Sequence, residues 1–296
     1  MRIQPKNLDG LPGAVRFHLA SDLVGDTFEI SVAVPDLAGF AGLGLTNLPD
    51  AFRVLYVTDA DLVFPAAYAA VGGQLSRAMD WDLPLEPIVV VGIGYGRGMA
   101  EWIVTRARDL TPPGTPVSEE ARQVVGDAAH GHADTFLRFI AEELHPVVQA
   151  NFPVLDGPAG LFGHSYGGLF SSYALFSRFP LFDRYIIGSP GNIFPDDFVL
   201  DLEQRCWDAG QTLNASAYLT CGSLERTSYS EGLRYIAIAY DKLCDRLAGR
   251  QYEGFTLSSR EYEGESHLSV GTPTLIDGIK LLYPGDPSFA PRFPGS

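Results

Sequence analysis

The chain has 296 residues, 46% of them hydrophobic and 19% charged, and this composition excludes disordered, collagenous and repeat proteins. It contains 36 acidic and 21 basic residues, so its formal net charge is −15. Such a surface repels phosphate backbones and anionic lipid headgroups, and we expect no nucleic-acid partner. We also expect no membrane partner, because no apolar run reaches the roughly 18 residues of a membrane span.

The first residues lack the apolar core of a signal peptide, so the sequence predicts a cytoplasmic protein. The three cysteines, Cys206, Cys221 and Cys244, are odd in number and form no C-x-x-C pattern, which argues against a disulfide framework and a zinc knuckle. The cluster Asp127, His130, His132 and Asp134 has no metal-site spacing, and we predict no metal. The sequence leaves the oligomeric state open, and a homo-oligomer is compatible with it.

Strand patterns open the chain. Alternating residues over Val15–Leu19 and Thr27–Val34 predict an antiparallel edge. The nearly continuous apolar runs Phe52–Val57 and Pro87–Gly92 are typical of parallel strands that are covered on both faces. Ala66–Met79 lies between these two runs and is predicted to form a crossover helix.

The segment at about 102–131 is predicted to be an irregular, cap-like insertion, because TPPGTP stands at its centre with charged residues around it. Helical spacing of apolar residues follows over Asp134–Gln149, with Asp134 placed to cap the N-terminus.

Strand and helix patterns alternate from Gly160 onwards. The predicted strands are Gly160–Phe162, Arg184–Gly188, Ala215–Cys221 and Phe255–Glu261, and the predicted helices are Gly168–Phe179, Pro195–Ala209, Ser230–Leu247 and Thr272–Leu282. This alternation predicts an α/β fold, with a mostly parallel central sheet and helices on both faces. We expect residues 1–296 to form a single domain of this kind.

The pentapeptide Gly163-His164-Ser165-Tyr166-Gly167 has the pattern G-x-S-x-G and lies between a short strand and a helix. This is the context of a nucleophile elbow, in which a tight turn exposes the serine hydroxyl and glycines allow close backbone approach. We therefore predict that Ser165 is a nucleophile. The alternative is a glycine-rich turn in which Ser165 only caps the helix.

A serine nucleophile needs a base, and the base needs an orienting carboxylate; in this fold they follow in the order Ser, acid, His. His267, just past the last predicted strand, is the histidine that fits this order. For the acid we favour Glu225, directly after the penultimate strand. Four other carboxylates stay open as alternatives, namely Asp196, Asp197, Glu263 and Glu265.

The oxyanion hole should combine the backbone N–H of Tyr166 with one from the loop after Phe52–Val57, where Ala60 is our first choice. The glycine run Gly92–Gly98 lacks the G-x-G-x-x-G spacing and does not predict a dinucleotide site. Further side chains near these loops are candidates for the substrate pocket: Asp59, Asp61, Tyr95, Arg106, His164, Ser189 and Asn192.

Several stretches together resemble the putative-esterase branch of the α/β-hydrolases, over most of the chain from about Phe52 to Tyr283. They are Leu55–Asp59, Val91–Tyr95, Arg106–Pro112, Ala133–Leu137, Gly163–Phe170, Ser189–Pro190 and Tyr262–His267. The branch includes esterases that open the trilactone backbones of enterobactin-type and bacillibactin-type siderophores. The resemblance implies an α/β-hydrolase fold, with the nucleophile at Ser165 and the base at His267.

We therefore predict a serine esterase that hydrolyses a small-molecule carboxylic ester through an acyl-enzyme intermediate and needs no cofactor. Three alternatives stay open. The first is a siderophore trilactone esterase, and the second is an acyltransferase that uses the same residues. The third is a non-enzymatic ligand-binding protein with the hydrolase fold.

Overall fold

The computed structural model of the chain describes residues 2–35, 49–77, 85–117, 119–126, 130–191, 197–210 and 212–285. Within these residues a nine-stranded sheet has the order β1-β2-β3-β5-β4-β6-β7-β8-β9. The strands are β1 Lys6–Asn7, β2 Ala14–Ser21, β3 Asp26–Ala33, β4 Arg53–Val57, β5 Ile88–Gly94, β6 Ala159–His164, β7 Phe182–Gly188, β8 Ala215–Gly222 and β9 Phe255–Tyr262.

Strands β1, β2, β3 and β5 pair in antiparallel fashion, and the strands from β5 to β9 in the sheet order pair in parallel. The predicted antiparallel edge and the predicted parallel sheet are therefore both confirmed. Strands β5 and β6, which follow β4 in the chain, lie on opposite sides of it in the sheet, so the direction of strand addition reverses at β4. Ligands of open α/β sheets bind outside the carboxyl ends of the strands at such a reversal.

Both faces of the central parallel strands β4, β5 and β6 are buried, which explains their nearly continuous apolar sequences. In β4, Val54 and Tyr56 belong to one core, whereas Leu55 and Val57 belong to the core on the opposite face. The α-helices of the described residues are Ala60–Arg77, Met99–Leu110, Glu119–Val125, Ala133–Arg138, His145–Asn151, Tyr166–Phe176, Phe198–Asp208, Glu231–Arg250 and Gly271–Leu282. The crossover helix begins at Ala60, six residues before the predicted start, and Met79 lies outside the described residues.

The prediction of an irregular segment over 102–131 is wrong in its first part. A regular helix, Met99–Leu110, occupies residues 99–110, and a shorter one covers Glu119–Val125. The charged residues that suggested a loop are paired in the interior, because Arg108 binds Asp109, whose side chain is fully buried. Burying paired charges allows a helix of polar composition to pack against the core.

The predicted helix over 134–149 extends over 133–151 and contains a π-helical stretch, Phe139–Leu144, between two α-helical parts. Its N-cap residue is His132 rather than Asp134, which lies in the first turn. A carboxylate in the first turn still interacts favourably with the positive end of the helix dipole.

Within the part of the chain that the structure describes, no helix is both long and apolar enough to cross a bilayer. The three cysteines are free thiols, with Cys206 and Cys221 buried.

Candidate active site

Ser165 stands between the end of β6 and the helix Tyr166–Phe176, in the turn that the sequence predicts as a nucleophile elbow. Its φ angle is +59°, a backbone conformation that is rare for residues other than glycine. The turn is too tight for side chains at Gly163 and Gly168, where an added Cβ would collide with backbone atoms of Gly167 and Gly188 respectively. The glycines of the motif thus permit the strained turn that exposes the serine hydroxyl.

The imidazole of His267 lies against the serine. Nε2 of His267 is 2.9 Å from Oγ of Ser165, and the two residues are brought together across 102 positions of the chain. His267 lies in the loop after β9 and is 7% exposed. At this distance the imidazole can accept the serine proton, as a general base must.

Glu225 lies on the other side of the imidazole, in the 3₁₀-helical turn Ser223–Thr227 after β8. Its Oε1 is 3.3 Å from Nδ1 of His267, and its side chain is fully buried. A hydrogen bond links this turn to the histidine loop, since the N–H of Leu224 donates to the carbonyl oxygen of Glu265 at 3.0 Å. Nδ1–H of His267 donates to the carboxylate, so Nε2 carries no proton and faces Ser165.

The next question is where the structure places the other carboxylates that could orient His267. Asp197 caps the helix Phe198–Asp208 and accepts hydrogen bonds from Tyr235 and Lys242 at the surface. Asp196 lies outside the described residues. Of the four candidates that the structure describes, Glu225 is the one in contact with the imidazole.

Ser189, predicted as a pocket residue, is fully buried directly after β7, and its hydroxyl donates to Oε1 of Glu225 at 2.6 Å. The structure therefore places this side chain in contact with the carboxylate. Asn192, another predicted pocket residue, lies outside the described residues.

The loop after β4 lies against the elbow. A Cβ on Gly167 would come within 2.6 Å of Oγ1 of Thr58, so the two loops are in direct contact there. Ala60 and Tyr166 are each the first residue of a helix, and N–H groups of a first helical turn have no acceptor within their own helix. An oxyanion hole requires two such donors, and Tyr166 with Ala60 stays the predicted pair.

Arg106 holds this loop. Its guanidinium donates to both carboxylate oxygens of Asp59, at 2.8 Å each, and lies 4.7 Å from the ring of Trp102 and 5.1 Å from that of Tyr166. Burial disfavours the charged guanidinium, but Asp59 outweighs burial and raises the pKa of Arg106. Arg106 and Asp59 were both predicted to line the pocket, and in the structure their charges neutralise each other. Trp102, which sequence reasoning missed, covers the guanidinium.

Two further predicted pocket residues have structural partners. Asp61 accepts hydrogen bonds from the N–H groups of Tyr95 and Gly96, at 2.8 Å each, and so ties the helix Ala60–Arg77 to the end of β5. The ring of Tyr95 is buried against Phe28, with 5.8 Å between ring centroids, and its place in the pocket stays a prediction.

His164 contacts the backbone of the second histidine. Its Nε2 is 2.6 Å from the carbonyl oxygen of His267, and since a carbonyl only accepts, Nε2 carries the proton. Nδ1 is buried, with no hydrogen-bond partner among the described residues. Burial and the neighbouring His267 lower the pKa of His164 to about 4. His164 is thus a neutral imidazole between the elbow and the histidine loop.

The arginines near the site are paired with carboxylates. Asp26 binds Arg97 and Arg108, and Arg108 also binds Asp109. Burial acts to raise the pKa of Asp26, but the hydrogen bonds from the two arginines outweigh it and lower that pKa. Sequence reasoning did not identify Asp26, because it lies on the antiparallel edge, far along the chain from its partners.

In the part of the chain that is described, no group of three or more acidic, histidine or cysteine side chains is placed to hold a metal ion.

Comparison with known proteins decides the family. The model of the family described as "Putative esterase" matches residues 82–214. The chain is 31% identical to the siderophore enterobactin esterase of Emericella nidulans, over 92% of this chain and 95% of that protein. The chain belongs to this esterase family. It is therefore a carboxylic ester hydrolase of the serine type, and the esterase relatives favour an enzyme over a hydrolase-fold binding protein.

Other relatives support the same family and fold. The esterase is 31% identical to the ferri-bacillibactin esterase of Bacillus subtilis, over 81% of this chain and 82% of that protein. The crystal structure of the BES protein from Bacillus cereus has a TM-score of 0.75 at 27% identity, covering 96% of this chain and 99% of that one. The siderophore hydrolase EstA from Aspergillus nidulans has a TM-score of 0.74 at 27% identity, covering 95% and 98%. These structures confirm the α/β-hydrolase fold.

Proposed function

We propose that Ser165, His267 and Glu225 form the catalytic triad of the esterase. The observation that carries the proposal is the chain of contacts from Oγ of Ser165 to Nε2 of His267 at 2.9 Å, and from Nδ1 of His267 to Oε1 of Glu225 at 3.3 Å. It combines a nucleophile in an elbow, a base within hydrogen-bond reach and a buried carboxylate that orients the base.

In the acylation step, Oγ of Ser165 attacks the ester carbonyl carbon while Nε2 of His267 takes the hydroxyl proton. The carbonyl oxygen becomes an oxyanion, which the N–H groups of Tyr166 and Ala60 stabilise; one such donor is typically worth on the order of 100-fold or more in rate. The tetrahedral intermediate then collapses, the alcohol leaves with the proton from His267, and the acyl group stays on Ser165.

In the deacylation step, a water molecule attacks the acyl carbon and gives its proton to His267. When the second tetrahedral intermediate collapses, the bond between the acyl carbon and Oγ of Ser165 breaks, His267 returns its proton to Oγ, and the carboxylic acid is released. Each step makes a transient imidazolium on His267, which Glu225 stabilises. His164 is neutral above its pKa of about 4, so it adds no repelling positive charge beside this imidazolium.

For the natural substrate class we propose a siderophore ester of the trilactone type. The proposal is supported by the names of the relatives, which are esterases of enterobactin and of ferri-bacillibactin. Arg97, Arg106 and Arg108 are each bound to a carboxylate, so they provide little free positive charge for an anionic ligand. Iron-loaded catecholate chelators are strongly anionic, and we therefore propose that the metal-free chelator is the better substrate, unlike the iron-loaded chelator that gives the Bacillus subtilis relative its name.

The triad is tested by initial rates on p-nitrophenyl acyl esters of increasing chain length. We expect turnover by the native protein, its loss in Ser165→Ala, and little change in Ser177→Ala, which alters an exposed serine just past the helix Tyr166–Phe176. Equal turnover in Ser165→Ala would disprove the role of Ser165. The substrate class is tested by comparing a trilactone chelator with and without iron, where faster hydrolysis of the iron complex would contradict the charge argument.

Two further proposals concern the location of the protein in the cell and its domain organisation. We propose a cytoplasmic location, supported by the three free thiols, which suit a reducing compartment. We further propose that residues 1–296 act as a single domain, with the segment between the helices Met99–Leu110 and Ala133–Arg138 as a cap beside the site.

A further inference from the structure

We propose that Ser189 is a positioning residue of the active site, which holds Glu225 in its productive orientation through its hydroxyl group. The inference rests on the proposed triad and goes beyond it, because it assigns a role to a fourth side chain. Ser189 is fully buried and lies behind Glu225, so it acts through the carboxylate and not on the substrate.

The hydrogen bonds of Glu225 converge on one oxygen. Oε1 accepts from the Ser189 hydroxyl at 2.6 Å, lies 3.3 Å from Nδ1 of His267, and accepts from the N–H of Gly222 at 3.4 Å. The other oxygen, Oε2, is buried without a hydrogen-bond partner among the described residues. The orientation of the carboxylate therefore depends on Oε1, and the hydroxyl of Ser189 makes the shortest contact with it.

The backbone at Ser189 would suit glycine better than serine. Its φ angle is +41°, in the left-handed region that side chains disfavour. Neighbours maintain this conformation, since the N–H of Ser189 donates to the carbonyl of Thr220 at 2.8 Å and Pro190 packs against Gly168. A serine at this strained position, with its hydroxyl bound to the acid, points to a function of the hydroxyl.

The same short segment also supports the nucleophile. The N–H of Ser165 donates to the carbonyl oxygen of Gly188 at 2.9 Å, one residue before Ser189. Gly188 thus binds the backbone of the nucleophile while Ser189 binds the side chain of the acid. Residues 188 and 189 thereby set the spacing between Ser165 and Glu225, and the imidazole of His267 lies between these two side chains.

The hydroxyl stabilises the charged form of Glu225 without changing its own bonds. Ser189 keeps its proton throughout the reaction and donates it to Oε1 as a hydrogen bond. When His267 takes the proton of Ser165, the carboxylate faces a new positive charge while remaining aimed at Nδ1. Without the hydroxyl, the carboxylate turns more freely, so it supports the imidazolium of His267 less well.

The experiment compares Ser189→Gly with Ser189→Ala, because both remove the hydroxyl and only glycine relieves the backbone strain. We expect both variants to lose about tenfold or more in kcat while KM stays within about twofold. A loss in kcat at unchanged KM separates the positioning of the acid from a general structural defect. The thermal midpoint of Ser189→Gly checks that the fold is retained.

Unchanged kcat in Ser189→Gly would overturn the proposal. A second arm adds Ser189→Gly to Glu225→Gln: because the hydroxyl acts through the carboxylate, we expect little further loss, and fully additive losses would also overturn it. Ser165→Ala distinguishes a failure of the proposed triad from a failure of the proposed role of Ser189. An active Ser165→Ala would disprove the triad, whereas an inactive Ser165→Ala with a fully active Ser189→Gly would disprove the role of Ser189 alone.

Discussion

The guanidinium of Arg106 binds both carboxylate oxygens of Asp59, at 2.8 Å each, where the backbone of Asp59 is left-handed with φ of +55°. The next residue is Ala60, whose N–H we propose as an oxyanion donor. The ion pair therefore holds in place the strained residue that aims this donor. Because the guanidinium also lies 5.1 Å from the ring of Tyr166, one side chain contacts both halves of the proposed oxyanion hole.

Arg106→Lys is expected to lower kcat about 10- to 100-fold, because an ammonium group cannot bind both oxygens of Asp59 in a fork. Arg106→Ala should reduce the free energy of unfolding by about 3–5 kcal/mol, since it leaves a buried carboxylate unpaired. Steady-state kinetics and urea unfolding measure the two effects. Arg138→Lys is the matched control, because its pair with Glu142 is exposed and should be nearly neutral. Wild-type kcat in Arg106→Lys would refute this role of the pair.

Glu225→Gln should lower kcat by roughly 10²–10⁴, because an amide no longer favours the tautomer of His267 that presents a bare Nε2 to Ser165. Glu265→Gln is the control, since Glu265 contributes its backbone carbonyl to the turn and keeps it in the variant. Rates on one p-nitrophenyl ester compare the two variants. If Glu265→Gln proved the more damaging change, the orienting acid would have to be sought in the histidine loop.

Gly167→Ala should lower kcat at least about tenfold with a smaller effect on KM, because the new methyl group would lie 2.6 Å from Oγ1 of Thr58 and push the two oxyanion loops apart. Gly98→Ala is a matched control, because no atom lies within 4 Å of its added Cβ and its φ of −63° suits any residue. The comparison uses kcat and KM on the same ester. Full activity in Gly167→Ala would show that the contact does not position the donors.

Acid should destabilise the protein through His164. Its pKa is lowered to about 4 in the folded state against an ordinary value near 6.5, so the unfolded chain binds the proton first as the pH falls. The free energy of unfolding should therefore decrease between about pH 6.5 and 4, by roughly 3 kcal/mol from this residue. His164→Gln cannot titrate and should show a correspondingly smaller decrease in urea unfolding across that range. Parallel curves for both proteins would contradict the buried, neutral state of His164.

The parts of the fold that follow from local patterns were predictable from the sequence. Apolar runs covered on both faces identify parallel strands, and the elbow needs only neighbouring residues, Gly163 to Gly167, between a strand and a helix. The order of elements along the chain then selected His267 and Glu225, which the structure places in contact with one another.

Features that depend on contacts between distant residues were not predictable. Arg106 and Asp59 are 47 positions apart, and Ser189 and Glu225 are 36 apart, so no spacing rule indicates that each pair is joined. The helix Met99–Leu110 was missed for the same reason. Its charged residues are typical of a solvated loop until Asp26 and Asp59 are seen to pair with them.

The most direct test of the account is the covalent labelling of Ser165. The native protein is treated with an active-serine phosphonate, and the adduct is located by peptide mass spectrometry, with Ser165→Ala and His267→Ala treated in parallel. We predict one adduct per chain on the peptide that contains Ser165, no adduct in Ser165→Ala, and much slower labelling in His267→Ala. Labelling at another serine, or equal labelling of Ser165→Ala, would contradict the proposal that the acyl-enzyme forms at this elbow.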